Sequence, residues 1–553
     1  MHAPCSNYFF ARLIRNFWVI QSIILVSNLY GAVCTRYAII PQPQELVHAE
    51  GTFTITPATQ IVINTPDLVP LAATIASFLG ASLGKPITWT KERCREKNNI
   101  VVYIDCAIKN LEGYALNITP ECIKITAATP IGAFYAWQTV RQLLPATTER
   151  QVPLFRAELS VPCISIHDQP RFGYRGLLLD VARHMMPLDA IKKLIDVMAT
   201  YKFNTLHLHL TDDQGWRLEI KKYPKLQEVA AYRAQTQVGR NYSRPVLFDG
   251  KRYGGYYTHE DIKELVAYAH EKHITIIPEI EFPGHCLAAL AAYPELGCIG
   301  KNYTVSTRWG VHDDVYCLGN EKTFDFITNV LQEVVTLFPS TYIHIGGDEV
   351  FKKRWEQCAA CQQRMQVEGL TAEQLQSYGI TRIEQIANSL GRSIIGWDEI
   401  LAGSLAPNAT VMSWLGTEGG LKAAKMRHKA IMTPHDRVYL DYYQSLRDDE
   451  PLAMGRYLPL ARVYDYEPIA SELSSEEAQY ILGVQGNIWT EYIATPAHLE
   501  YMTFPRALAL AEVAWTSANK KNYTEFIERL RINVQRLKAR GVQYCEHGIT
   551  MDS

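Results

Sequence analysis

The 553-residue sequence has almost no imbalance of charge: 55 Lys and Arg against 57 Asp and Glu leave a formal net charge of -2. Proteins that grip nucleic acid carry a basic surplus, so that class of partner is excluded at whole-chain level. Long apolar runs are also scarce. The most apolar stretch, residues 17–26, is too short to cross a bilayer, and no stable membrane span is expected. No Gly-rich phosphate loop follows the first strand of the larger domain, which counts against an open dinucleotide-binding sheet. A second CxxC is missing as well. Cys358-x-x-Cys361 can be read as a zinc half-site or a redox motif, but without that second pair a local disulfide is the simpler reading.

What is present is an ordinary globular composition, 47% apolar and 20% charged, with length for one large barrel and a smaller domain. Tyr (31) and Trp (10) are plentiful, and aromatic faces suit sugar rings, although most such side chains fill cores. At the N-terminus, Arg12 and Arg15 precede the apolar run, and small residues follow around Gly31-Ala-Val-Cys34. That order marks residues 1–34 as a secretory signal peptide, cut after Ala32 or Cys34, and the protein as secreted or periplasmic. Cys34 as a lipid-anchoring site is disfavoured by Val33 before it. Twelve Cys in an exported protein invite disulfides, and Cys298–Cys317, flanking a polar loop, is a second plausible bridge.

Residues 36–165 read as short strands broken by Pro and Gly, with helical stretches at 71–79 and 132–143. Alternation at 100–104 and 122–126 marks half-buried strands. This predicts a small α+β domain, with residues 166–172 as the hinge. From there to about 545, short apolar strands alternate with helix-length segments. Strands are expected at 176–181, 205–210, 274–280, 342–346, 393–397, 410–414, 430–433 and 483–489. Helices are expected at 189–201, 259–272, 321–337, 372–390 and 420–428. Eight such units argue for an α/β protein with a closed (β/α)8 TIM barrel spanning 170–545. Residues 505–515 and 523–540 are expected to close it as C-terminal helices.

In such a barrel the chemistry lies where the strands end. Those ends carry Arg183-His184, His207-x-His209 with Asp212-Asp213, Glu279-x-Glu281 with His285, Asp348-Glu349, Trp397-Asp398-Glu399, Trp414, Tyr439 with Asp441, and Trp489 with Glu491. The sharpest signal is Ile343-His-Ile-Gly-Gly-Asp-Glu349. Neighbouring side chains on a strand point apart, but Gly346 and Gly347 permit backbone angles that bring both carboxylates to the mouth. Close carboxylates split their pKa values, giving a general acid beside a fixed anion. His207-x-His209 also suggests a metal-dependent hydrolase, with His344 or His435 as further ligands. A metal site needs three converging ligands and an open position, and packed barrel histidines explain the pattern more simply. No metal or other cofactor is therefore assigned.

Five ordered segments resemble the β-N-acetylhexosaminidases of glycoside hydrolase family 20. They are Arg175-Gly-Leu-Leu-Leu-Asp-Val-Ala-Arg-His184, Leu206-His-Leu-His-Leu-Thr-Asp-Asp-Gln-Gly-Trp216, Pro278-Glu-Ile-Glu-Phe-Pro-Gly-His285, His344-Ile-Gly-Gly-Asp-Glu349 and Gly396-Trp-Asp-Glu399. The resemblance implies exo-acting release of terminal β-linked N-acetylhexosamine from an oligosaccharide or glycoconjugate, with the substrate's own acetamido oxygen as nucleophile. It implies Glu349 as general acid/base, Asp348 as the group that holds the acetamido N–H, and Tyr439 as donor to its oxygen. Trp397, Trp414 and Trp489 would wall the sugar. Arg183, Glu491 and Asp441 would take hydroxyls, and Asp212 and His285 would orient the acid/base pair. A conventional retaining glycosidase, with Glu281 or Glu399 as nucleophile, remains an alternative, as does a non-catalytic sugar-binding protein.

Overall fold

The computed structural model describes residues 37–91, 97–154 and 159–549. The expected signal segment and Cys34 lie outside them. The described residues form two compact units, one from those up to 169 with 520–540, the other 170–519 with 541–549.

The first unit is built on a seven-stranded mixed sheet. Its strands are β1 (Glu45–Ile55), β2 (Gln60–Ile63), β3 (Thr88–Thr90), β4 (Asn99–Ile104), β5 (Tyr114–Ile118), β6 (Cys122–Ala127) and β7 (Leu159–Asp168), in the spatial order β1-β7-β5-β6-β4-β2-β3. The β1, β7, β5 and β6 pairings are antiparallel, and β6, β4, β2 and β3 run parallel. Helix Val69–Leu83 ends on Gly84 in the left-handed region, at φ 65°, a position where glycine avoids the Cβ penalty. Residues 66–83 have the length and apolar character of a membrane span. Leu71, Ala72, Ile75 and Leu79 are buried within the unit instead. Helix Pro130–Leu143 starts where the Thr129 side chain accepts from Gly132 N–H, with Pro at its first turn.

Helix Tyr523–Ala539, expected from sequence to close the barrel, belongs to this first unit. Its partners explain why. Arg536 and Arg540 join Arg141 around Glu149, whose side chain is fully buried. Burial pushes the Glu149 carboxyl up, but the three guanidiniums outweigh it and hold it down at about 2.

The second unit is a closed barrel of eight parallel strands. They are β8 (Tyr174–Asp180), β9 (Thr205–His209), β10 (Thr275–Glu279), β11 (Tyr342–His344), β12 (Ser393–Trp397), β13 (Thr410–Ser413), β14 (Ala430–Met432) and β15 (Ile481–Ile488). Each overlaps a strand expected from the sequence. Both faces of a parallel strand are covered, so these segments read as near-continuous apolar runs, and β8 and β9 are buried at every position. The helices Leu188–Thr200, His259–Glu271, Glu321–Leu337, Ala372–Ser389 and Glu418–Lys425 follow their strands as expected. Tyr174, Leu178, Ile277, Ile395, Trp397, Met412 and Ile431 form the apolar core, against which Trp414 and Trp489 pack.

Candidate active site

All eight strands deliver side chains to one pocket. Its lining includes Arg183, Asp212, His285, Asp348, Glu349, Trp397, Trp414, Tyr439, Asp441, Trp489 and Glu491, around a cavity of about 220 Å³. The residues that the resemblance gives as contacting or orienting the sugar all line this pocket; of the two alternative nucleophiles, Glu281 lines it and Glu399 does not. His209, Tyr442 and Met454 also line it and were given no role. His209 was visible as a polar strand end. Tyr442 and Met454 sit in the long connection after β14, where no periodicity marks them.

The backbone at the end of β11 explains how adjacent carboxylates share one pocket. Gly346, Gly347 and Glu349 all have positive φ, at 67°, 95° and 51°. A Cβ at Gly346 would overlap the Glu281 carboxylate, so only glycine fits. A non-glycine residue in the left-handed region is strained, and such strain collects at functional sites. Glu349 and His285 (φ 46°) are two of these, and they face each other at 3.4 Å, His285 Nε2 to Glu349 Oε2. The loop is pinned by Gln376, whose Nε2 donates to Gly347 O at 2.7 Å, and by Trp397 N–H to Gly346 O at 2.9 Å.

Beneath the pocket lies a continuous chain of charges. Glu279 is surrounded by imidazoles: His344 Nδ1 stands 2.7 Å from Oε1, His207 Nε2 stands 3.0 Å from Oε2, and His209 Nδ1 lies against the same Oε2. His209 Nε2 reaches Asp212 at 2.9 Å, and Arg183 Nη2 holds Asp212 at 2.9 Å. Burial opposes a charge on His209, but Glu279 and Asp212 raise it to about 10, while burial lowers His207 to about 4. Burial likewise works against Asp212, yet Arg183 and His285 keep it ionised, well below the ordinary range. His285 spans the gap to the pocket: its Nδ1 faces Asp213 (3.2 Å) and Asp212 (3.4 Å), and its Nε2 faces Asp348 (3.6 Å). Burial disfavours its proton, but Asp212 and Asp348 raise its pKa well above 6.5.

Asp348 is pushed the opposite way. Burial raises its carboxyl well above the usual range; His285 pulls it down, and Glu399 and Glu349 push it up. Glu281 is raised by burial, then by Asp348 and Glu279. Burial raises Glu399 to about 7, against the hydrogen bond from Trp414 Nε1 at 2.9 Å. The Glu399 carboxylate is committed to holding that indole. Asp398 accepts from Ser413 Oγ (3.2 Å) and Trp414 N (3.3 Å), and so positions the same tryptophan from below.

The walls are aromatic. Tyr439 stacks on Trp414 with centroids 6.2 Å apart and 23° between planes, and it lies 6.4 Å from Trp489. Trp489 is 5.9 Å from Trp397, whose Nε1 is tied to Glu279 Oε1 at 3.0 Å. Arg183 serves two ends. It is ion-paired to Asp212 and Asp180 and stands 3.9 Å from Glu491, while remaining part of the pocket wall. Buried polar atoms are ordinarily hydrogen-bonded. Yet Glu281 Oε2, Asp348 Oδ1, Asp441 Oδ1 and Glu491 Oε2 have no hydrogen-bond partner within the described protein. Four acceptors around one aromatic cavity can receive a ligand rich in N–H and O–H donors.

The metal reading of His207-x-His209 meets a specific obstacle. His207, Glu279 and His344 do converge, but all three are sealed at 0% exposure inside the barrel, leaving no open position for a substrate. His435 is elsewhere, beside Arg456 at 2.8 Å. The two expected local disulfides are also not formed. None of Cys298, Cys317, Cys358 and Cys361 is in a disulfide. Cys317 lies 3.5 Å from Cys361 and 3.7 Å from Cys358, where a disulfide needs about 2.05 Å.

Residues 172–518 match the sequence profile described as glycosyl hydrolase family 20, catalytic domain, and residues 36–169 match that family's domain 2. A curated β-hexosaminidase from Porphyromonas gingivalis is 44% identical over 92% of the chain, which spans 64% of that relative's length. Among solved structures, an exo-β-N-acetylglucosaminidase from Vibrio harveyi in complex with N-acetylglucosamine superimposes with a TM-score of 0.82 at 32% identity, covering 92% of this chain and 78% of that one. The β-N-acetylhexosaminidase of Streptomyces coelicolor A3(2) gives 0.81 at 31% identity, covering 92% and 98%.

Proposed function

We infer that this chain, which belongs to glycosyl hydrolase family 20, is an exo-acting β-N-acetylhexosaminidase that cleaves with retention through its substrate's own acetamido group. The observation that carries this reading is the set of unpartnered buried acceptors around the tryptophan-walled cavity. Asp348 Oδ1 takes the acetamido N–H, and Asp441 and Glu491 take ring hydroxyls of a terminal sugar. Trp397, Trp414 and Trp489 cover its apolar faces, and the Tyr439 hydroxyl donates to the acetamido oxygen. Arg183, held rigid by Asp212 and Asp180, adds charge-assisted bonds at the closed end.

In the first step the acetamido oxygen attacks the anomeric carbon, and the bond to the leaving oxygen breaks as Glu349 protonates it. The product is an oxazolinium ion whose positive charge lies beside Asp348. That charge favours the Asp348 carboxylate, which burial otherwise holds high. In the second step water attacks the anomeric carbon, gives its proton to Glu349, and the acetamido group re-forms. A conventional nucleophile is poorly supplied here: burial, Asp348 and Glu279 all disfavour the anionic form of Glu281, and Glu399 is bonded to Trp414 outside the cavity lining.

The test compares an aryl N-acetyl-β-glucosaminide with the matching aryl β-glucoside. The reading expects at least a thousandfold preference for the first, and comparable turnover of the two would overturn it. Gluco- and galacto-configured N-acetylhexosamines are both within the proposed substrate class. The order of charge, apolar run and small residues in 1–34 supports export. N-terminal sequencing of protein recovered outside the cytoplasm should begin just after Ala32 or Cys34, and a retained Met1 there would refute cleavage.

A further inference from the structure

We propose that Cys298, Cys317, Cys358 and Cys361 form a tetrahedral structural zinc site that staples the loop after β10 to the loop after β11. The four sulfurs gather within 4.8 Å of one another. The close pairs are Cys317–Cys361 at 3.5 Å, Cys317–Cys358 at 3.7 Å and Cys298–Cys361 at 3.9 Å. Zinc–sulfur bonds of about 2.3 Å in a tetrahedron set neighbouring sulfurs about 3.8 Å apart. Two disulfides would instead pull the sulfurs into pairs at about 2.05 Å. No carboxylate or histidine enters the group, so the donor set is the soft thiolate one that selects zinc over calcium or magnesium.

The surrounding backbone is arranged for those sulfurs. Cys298 and Cys317 lie 19 residues apart in sequence but are drawn together by an isolated bridge between Gly297 and Tyr316 and by Cys317 N–H to Leu296 O at 2.8 Å. Cys358 is the N-cap of helix Ala359–Glu368 and Cys361 sits in its first turn. Two thiolates there gain from the positive end of the helix. A Cβ on Gly319 would collide with the Ala360 backbone, so the loop and the helix start can approach only at a glycine.

The position gives the site its purpose. The segment after β10 begins with Glu281 and His285, and the segment after β11 begins with Asp348 and Glu349. A metal joining the far parts of both loops fixes the relative placement of the acid/base residue and the histidine facing it. All four ligands come from protein, so the site is closed and has no position for substrate. Zinc-bound thiolates are also protected from oxidation, which makes the cluster compatible with export.

The decisive experiment is elemental analysis of the full chain as purified, by mass spectrometry for zinc and iron, with site-resolved alkylation of cysteines. The expected result is one zinc per chain, and Cys298, Cys317, Cys358 and Cys361 protected from alkylation until denaturation with a chelator. Cys358→Ser should fall below 0.1 zinc per chain, whereas Cys122→Ser, in the other unit, should keep one. Metal-free protein with these four cysteines disulfide-linked would overturn the proposal. So would metal-free protein with four freely alkylated thiols, or stoichiometric iron. Because the first measurement uses the unmutated chain, a Cys358→Ser variant that fails to fold does not blunt the test.

Discussion

Replacing Gly346 with alanine tests whether the backbone at the end of β11, rather than the mere presence of two carboxylates, makes the site. At φ 67° an L-residue costs about 1–2 kcal/mol in the left-handed region. The new methyl would occupy the space of the Glu281 carboxylate, which must retreat by on the order of 1 Å to regain van der Waals contact. Glu281 is fully enclosed, so the displacement is shared with the loop bearing Asp348 and Glu349. A misplacement of about 1 Å at reacting groups costs roughly a hundredfold in rate. Gly391→Ala supplies the control: its φ is 74°, and an added Cβ meets nothing within 4 Å. Scanning calorimetry should show both variants destabilised by about 1–2 kcal/mol or more. Steady-state kinetics on an aryl N-acetylglucosaminide should show kcat/KM down about a hundredfold for Gly346→Ala and unchanged for Gly391→Ala. Near-normal kcat/KM in Gly346→Ala, or equal losses in both, would refute the reasoning.

Other outcomes follow from charges already described. The Asp348 carboxyl is raised, and the reaction needs it ionised, so kcat/KM should fall as pH drops through a limb above the ordinary carboxylate range. Asp348→Asn should remove that limb along with most activity, and a limb near pH 4 in the parent enzyme would contradict the assignment. Glu349→Gln should lose about 10²–10⁴-fold on substrates with poor leaving groups and much less on an activated aryl fluoride or dinitrophenyl glycoside. Equal losses on both would show that Glu349 does not protonate the leaving group. In the first unit, Glu149 has a depressed carboxyl pKa, so its stabilisation is complete above about pH 4.5. It is lost as pH falls through about 2. Glu149→Gln should cost about 3 kcal/mol at neutral pH. Denaturant melts below pH 2 should show the gap closing, and a gap that persists there would point to packing instead of charge.

The barrel could be read from sequence because its strands are buried on both faces and its helices carry a 3.6-residue period. The site followed from geometry: if each strand ends at the mouth, its last polar residue belongs there, and Arg183 through Glu491 obey that rule. What remained hidden depends on pairings across long separations. Helix Tyr523–Ala539 announces itself as amphipathic, but nothing local says that Arg536 and Arg540 will meet Glu149 rather than a barrel strand. The sulfurs of Cys317 and Cys361 are 44 residues apart and joined through a contact that only Gly319 permits. A spacing rule that looks for two CxxC pairs therefore passes over them. Tyr442 and Met454 reach the pocket from an irregular connection whose path is set by tertiary contacts, as where Met454 N–H donates to Asp441 O. The charge on His209 likewise depends on Glu279, which lies on the neighbouring strand.

The central claim is that the substrate supplies the nucleophile and Asp348 steers it. It is tested most directly by a series of aryl β-glucosaminides whose N-acetyl group carries zero, one, two or three fluorines. Each fluorine withdraws electron density from the acetamido oxygen while leaving the leaving group and ring unchanged. If that oxygen attacks the anomeric carbon, log kcat/KM should fall steeply and steadily along the series, by orders of magnitude from first to last. A flat series, with the trifluoro substrate turned over as fast as the parent, would mean that the enzyme brings its own nucleophile.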